Sequence, residues 1–355
     1  MENTVILSPP KTRDIRYDLL RIFAAFMVVV LHVSGKNWSS TPPDTISWAA
    51  MNLYDSFVRS AVPLFFMLSG AFMLKKEANF KKLYGKIFSL ALIYTVWSVL
   101  YAVDTIGLTE IFNTSLLDFA KAVVKSKFHL WFIPSLIGAY ILQPIMYAIV
   151  HFENGKYTPY YLICFLIFGI IQPTLSTTLN GIELLPSIIN KLSIEMTGVS
   201  GYMILGYYIV NQKPIKIKKT TAVFCFMGVA LISTIICQLH ALKTNKVSNI
   251  LYGNFMLPVC LEAILIFAFF QSLGLNSFKK EKINKIIQKI SALTMGVYLF
   301  HPFVIEQIGL KLGIDSLSFN PIVSIPVLSV AIFAISLFVS FIMTKIPIIK
   351  IFWKL

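Results

Sequence analysis

The chain has 355 residues, 57% of them apolar and only 13% charged, with a formal net charge of +15 and a mean hydropathy of +0.75. Length alone allows two soluble domains, but this balance excludes an ordinary soluble protein and predicts one helical membrane domain without a soluble module. The basic charge does not call for nucleic acid, because juxtamembrane lysines meet anionic lipid headgroups.

Residues 1–16 read as a cytoplasmic tail, 17–345 as an all-α polytopic membrane domain and 346–355 as a second cytoplasmic tail. Ten spans are expected, at about 17–35, 56–74, 85–105, 129–150, 159–176, 196–211, 220–240, 251–273, 290–310 and 321–344. The first carries ionisable groups in its opening turn and no small-residue cleavage site, so it is expected to be retained and not removed as a signal peptide. Gln172-Pro173 interrupts the fifth span, and the sixth is short.

With the N-terminus inside, inner segments hold 21 Lys and Arg residues and outer loops hold 8. That asymmetry predicts both termini in the cytoplasm and an even number of crossings. The four cysteines, Cys164, Cys225, Cys237 and Cys260, fall within spans without paired spacing, which predicts buried thiols and neither a disulfide framework nor a zinc motif.

The polar residues within the spans carry the chemistry. Arg21 and His32 are eleven positions apart in RIFAAFMVVVLH, so at roughly 100° per residue both face the same way, separated by about 16 Å along the axis. Groups of this kind are costly in lipid and mark a functional site. By depth, Arg21 falls near the cytoplasmic end, whereas His32, Arg59, His129, Trp131 and Glu195 fall toward the outer end. His301 and Glu262 fall near the middle, so a cluster is expected in the outer half with Arg21 inside. Structural readings stand beside these. Arg21 and Arg59 reach headgroups by snorkelling, His129 and Trp131 form an interfacial pair, and His301 satisfies backbone freed by Pro302.

Arg21 to His32 fits an R-x10-H signature, and with RSAVPLFFMLSG, HLWFIPSLIGAYILQPI and SALTMGVYLFHPF in order the chain resembles the acyltransferase 3 family of integral-membrane acyltransferases over residues 14 to 345. The resemblance implies transfer of an acyl group, usually acetyl, from cytoplasmic acyl-CoA to a hydroxyl of a cell-surface glycan or envelope molecule, in a bacterial plasma membrane. Many relatives carry an extracytoplasmic esterase-like domain, and none is expected after the last span here. The family also includes membrane domains attached to serine racemases, for which amino-acid transport has been proposed. A transporter or flippase of serine or of a lipid-linked glycan is therefore the alternative. Acceptor, acyl chain, envelope partners and oligomeric state stay open.

Under the acyl-transfer reading, a hydroxyl needs a base, and His32 titrates in the right range. Arg21, oriented by Asp18 at i−3, is expected to hold coenzyme A phosphate. Arg59 or His301 is expected to hold the thioester oxygen, and His129, Trp131 and Glu195 to contact the acceptor.

Overall fold

The computed structural model describes residues 13–178, 198–274 and 280–346. Every regular element among them is helical: α1 Ile15–Gly35, α2 Ile46–Val58, α3 Ala61–Met73, α4 Phe80–Ile106, α5 Leu116–Lys125, α6 Phe132–Ile141, α7 Gln143–His151, α8 Thr158–Thr178, α9 Val199–Tyr207, α10 Lys219–Thr244, α11 Leu257–Gln271, α12 Glu281–Leu312 and α13 Pro321–Met343. Short polar residues set several starts. Asp14, Thr45, Asn79 and Asn320 each accept a backbone N–H of the first turn that has no intrahelical partner.

Seven helices among the described residues are long and apolar enough to cross a membrane, with α2 and α3 counted together as the segment Ile46–Met73, and eight if the bent pair Phe128–Ile141 and Gln143–Gly155 counts as one span. The expected count of ten is not reached, for identifiable reasons. The fourth expected span breaks between Ile141 and Gln143, where Pro144 follows, and its halves diverge by 55°. The sixth and eighth appear as Val199–Tyr207 with a π-helical extension to Gln212, and as the 15-residue α11, both shorter than a full crossing. The fifth, by contrast, runs straight through its proline. A π-helical stretch, Phe165–Ile171, shifts the hydrogen-bond register just before Pro173. The sequence reading missed α5, an amphipathic helix between α4 and α6 that leaves Leu116, Leu117 and Val124 exposed.

Long-range hydrogen bonds sort the helix ends into two groups. At one end Arg16 donates to the carbonyls of Gln271 and Leu273, His151 meets that of Leu74, Gln212 donates to Val150, and Ser340 donates to Leu293. At the other, Asn37 donates to Ser316, Gln238 to the Pro43 carbonyl and Tyr54 to that of Ile322. The start of α1 and the end of α13 therefore share one end of the bundle. In the core, α3 and α9 cross almost in backbone contact. A Cβ on Gly70 would lie 2.0 Å from the Met203 carbonyl oxygen, and one on Gly206 would lie 2.0 Å from that of Met67. Small residues permit such an approach, and dispersion then holds the pair where lipid supplies no hydrophobic drive.

Candidate functional site

α1 delivers Arg21 and His32 to one continuous cavity of about 1180 Å³, so the expected shared face exists. This exceeds the roughly 300–1,000 Å³ of ordinary small-molecule pockets. Arg13, Arg21, Lys86 and Ser291 line it toward the end where α1 starts, whereas Lys36 and Glu306 line it toward the other. His32, Arg59, His129 and Trp131 lie along its wall between these.

The arrangement of His301 follows from its neighbour. Pro302 sits inside α12 and has no N–H, which frees the Tyr298 carbonyl four residues back. The fully buried His301 ring turns onto its own helix, and Nδ1 lies 2.8 Å from the Tyr298 oxygen and 3.0 Å from the Val297 oxygen. Carbonyls only accept, so Nδ1 carries the hydrogen and the Nε2 of the neutral ring is an acceptor, an assignment made from the network. That Nε2 lies 2.6 Å from Nδ1 of His32, with the two rings stacked at 16°. His32 therefore donates from Nδ1, and its Nε2 keeps a lone pair with no hydrogen bond among the described residues. The kink-satisfying role expected for His301 is present, and it fixes the tautomer of His32 as well.

His129 joins the two rings edge-on, its centroid 6.5 Å from His32 and 5.6 Å from His301. Phe128 meets the His32 ring edge-on at 5.1 Å. Both come from the short 3-10 turn Phe128–Trp131 that opens the α6 segment. Trp131 is part-exposed and also borders a smaller side pocket of about 310 Å³.

Arg59 ends α2, and its Nε donates to Oδ2 of Asp55 at 2.6 Å, with Nη2 on the same oxygen. Asp55 is wholly buried, so the pair anchors the guanidinium, and Tyr252 lies beneath it at 5.1 Å. Glu262, also buried, feels the charges of both Arg59 and Asp55. It does not line the cavity.

At the α1 start, Arg21 donates from Nη1 to the Ser291 hydroxyl at 3.1 Å and reaches Asp18 only at 3.4 Å. The main partner of Asp18 is Arg13, whose Nε donates to it at 2.8 Å. The expected orientation of Arg21 by Asp18 is thus weaker than its contact with Ser291. Arg21 remains part-exposed on the cavity wall. Glu195 lies outside the described residues.

Asp55 is absent from the expected site, although its i−4 spacing from Arg59 is a signal that could have found it. Arg13, Lys86 and Ser291 had no signal beyond their charge or polarity, because they reach the cavity only through packing between helices distant in sequence. No group of three or more His, Cys, Asp or Glu among the described residues is arranged to hold a metal ion.

A protein of Enterococcus faecalis named amino-acid racemase is 24% identical over 313 residues, covering 81% of this chain. The chain spans only 40% of that relative's length. No solved structure matches. A family model described as an acyltransferase domain matches residues 14–344, nearly the whole chain, which therefore belongs to the acyltransferase 3 family of membrane proteins.

Proposed function

We propose that this protein transfers an acyl group, acetyl in the first instance, from cytoplasmic acyl-CoA to a hydroxyl of an extracytoplasmic glycan or other envelope molecule. The observation that carries this reading is the His32–His301 pair. A neutral imidazole held by one nitrogen, with the other aimed at a cavity, is a general base mounted for use. His301 takes the part of the orienting group. It sits behind His32, so its expected contact with the thioester oxygen gives way to positioning. When His32 accepts the hydroxyl proton at Nε2, its Nδ1–H keeps its bond to His301, which favours the charged ring that forms.

The rest of the cavity supports a donor that spans it. Arg13, Arg21 and Lys86 gather positive charge suited to the phosphates of coenzyme A. The rise from Arg21 to His32 is about 16 Å, a length for an extended pantetheine arm to cover. Arg59, held by Asp55, adds a fixed positive field beside the reacting carbonyl. In this reading the Arg21 end and both termini face the cytoplasm, an orientation that the lysine and arginine asymmetry supports, and the bent and short helices complete ten passages through a bacterial plasma membrane. In this orientation donor and acceptor approach His32 from opposite sides.

A second reading has two observations in its favour. The Enterococcus faecalis relative is named for an amino-acid reaction, and the cavity is bordered by polar groups toward both ends of the bundle. A carrier of serine or of a lipid-linked glycan would use such a passage without chemistry. Mass spectrometry of envelope glycans from cells with and without the protein tests the choice. Loss of O-acetyl groups without the protein is the expected result. An unchanged envelope, together with uptake of labelled serine by vesicles containing the protein, would favour the carrier.

A further inference from the structure

His129 has hydrogen-bonding capacity that the reading above leaves unused. The residue is 2% exposed and lines the cavity, yet neither ring nitrogen makes a hydrogen bond of good geometry among the described residues. The Leu299 carbonyl, which accepts the Tyr101 hydroxyl at 2.8 Å, lies near the ring without meeting hydrogen-bond geometry. A neutral imidazole always carries one N–H, and leaving it unpaired in a buried place is costly unless a ligand takes it.

The mount of this ring is unusually fixed for a turn. The Tyr298 hydroxyl donates to the His129 backbone carbonyl at 2.6 Å, and the rings of Tyr101 and Tyr298 close on the imidazole edge-on at 5.1 and 5.5 Å. Just before it, Lys127 forms an ion pair with Glu306 at 2.6 Å, tying the turn to α12. The same helix carries His301, which orients the base, so the turn and the base's partner share one frame. Arg59, the other group suited to a developing negative charge, has Nε and Nη2 committed to Asp55.

We infer that His129 donates its N–H to the carbonyl oxygen of the thioester and holds the oxyanion that forms there; the inference rests on the acyl-transfer reading. The 6.5 Å between the His32 and His129 centroids leaves room for a carbonyl group about 3 Å from a nitrogen of each ring. In the step, the acceptor oxygen bonds to the carbonyl carbon while its proton passes to Nε2 of His32. The π electrons move onto the oxygen facing His129. They return as the carbon–sulfur bond breaks, and the departing sulfur takes the proton from His32, giving the ester and free coenzyme A. A preorganised donor at this oxygen strengthens its bond as charge develops, which is where binding accelerates the reaction.

The test is isotope-edited infrared spectroscopy of [1-13C]acetyl-CoA bound to the full chain in nanodiscs, with binding followed by calorimetry. The carbonyl band should lie lower in wild type than in His129→Phe, which keeps the ring shape and removes the donor. His129→Asn, which retains an N–H, should fall between them. Donor affinity should change less than threefold, while transfer drops about 10²–10³-fold in His129→Phe. His129→Leu provides the same comparison if the phenyl ring does not fold. Equal carbonyl bands in wild type and the donor-free variants, with acetyl-CoA bound to each, would overturn the role of His129 alone. Failure of wild type to bind acetyl-CoA would overturn the acyl-transfer reading with it.

Discussion

His301 makes two separable sets of contacts, and substitution can remove either. Asparagine places an amide nitrogen near Nδ1, so His301→Asn keeps a donor for the Tyr298 and Val297 carbonyls and loses the 2.6 Å contact with His32. Glutamine places its amide near Nε2, so His301→Gln keeps an acceptor for His32 and leaves the Tyr298 carbonyl freed by Pro302 without its cap. A lost hydrogen bond to a buried group costs about 1–3 kcal/mol. For His301→Asn that cost falls on the base, because His32 loses both the orientation of its ring and the partner that favours its charged form. At about 1.4 kcal/mol per decade, acyl transfer should fall roughly 10- to 100-fold. For His301→Gln the same cost falls on the fold, lowering thermal stability by about 1–3 kcal/mol with turnover largely kept. Transfer of labelled acetyl from acetyl-CoA in nanodiscs reads the loss of turnover, and size-exclusion of heated, detergent-solubilised protein reads the loss of stability. The reverse order, with an active Asn variant and an inactive but stable Gln variant, would refute the claim that His301 works through His32.

Four further outcomes follow from the same contacts. Arg21→Ala should weaken acetyl-CoA binding by about 1.5–3 kcal/mol, with Arg21→Lys restoring part of it, because the charge returns without the planar fork; calorimetry checks this, and unchanged affinity would mean that Arg21 serves only Ser291 and Asp18. Asp55→Ala should destabilise the protein by about 3–5 kcal/mol by stranding Arg59, read as loss of folded protein on gel filtration. Gly70→Ala and Gly206→Ala should each prevent the α3–α9 crossing, since the clash is with backbone at 2.0 Å, and should cost at least about 1–3 kcal/mol in thermal stability. Cysteines placed at positions 78, 215 and 283 should react only from the cytoplasm and those at 45, 115, 245 and 315, and at 185 outside the described residues, only from outside, in a background without the four native thiols; external labelling at 215 would reverse the proposed orientation.

The parts of this fold legible from sequence are those that periodicity controls. α1, α4, α10, α12 and α13 each carry a long apolar run, and their positions match the expected spans. The bend in the fourth span and the brevity of α11 are not legible, because hydropathy averages over a window and cannot register that a helix stops halfway, whereas α9 is short as expected. The site divides similarly. Arg21 and His32 share a face because both belong to one helix, and eleven steps fix their angle. His301 was visible as a buried polar group beside a proline, but its contact with His32 depends on how α12 packs against α1, which spacing cannot supply. The weak hold of Asp18 on Arg21 has a similar origin. Arg13, from the residues before the helix, takes the carboxylate first. Phe128 and His129 reach the centre through a turn whose place is set by Tyr298 and Glu306, both more than 160 residues away in sequence.

The central claim is that His32 removes the acceptor proton during transfer from acyl-CoA. Wild type and His32→Gln, purified in nanodiscs, should be given labelled acetyl-CoA and an envelope-glycan fraction, with ester formation and donor binding measured on the same samples. Loss of ester formation by at least about 10²-fold in His32→Gln, with acetyl-CoA still bound at near wild-type affinity, is the predicted result. Turnover close to wild type in His32→Gln would contradict it.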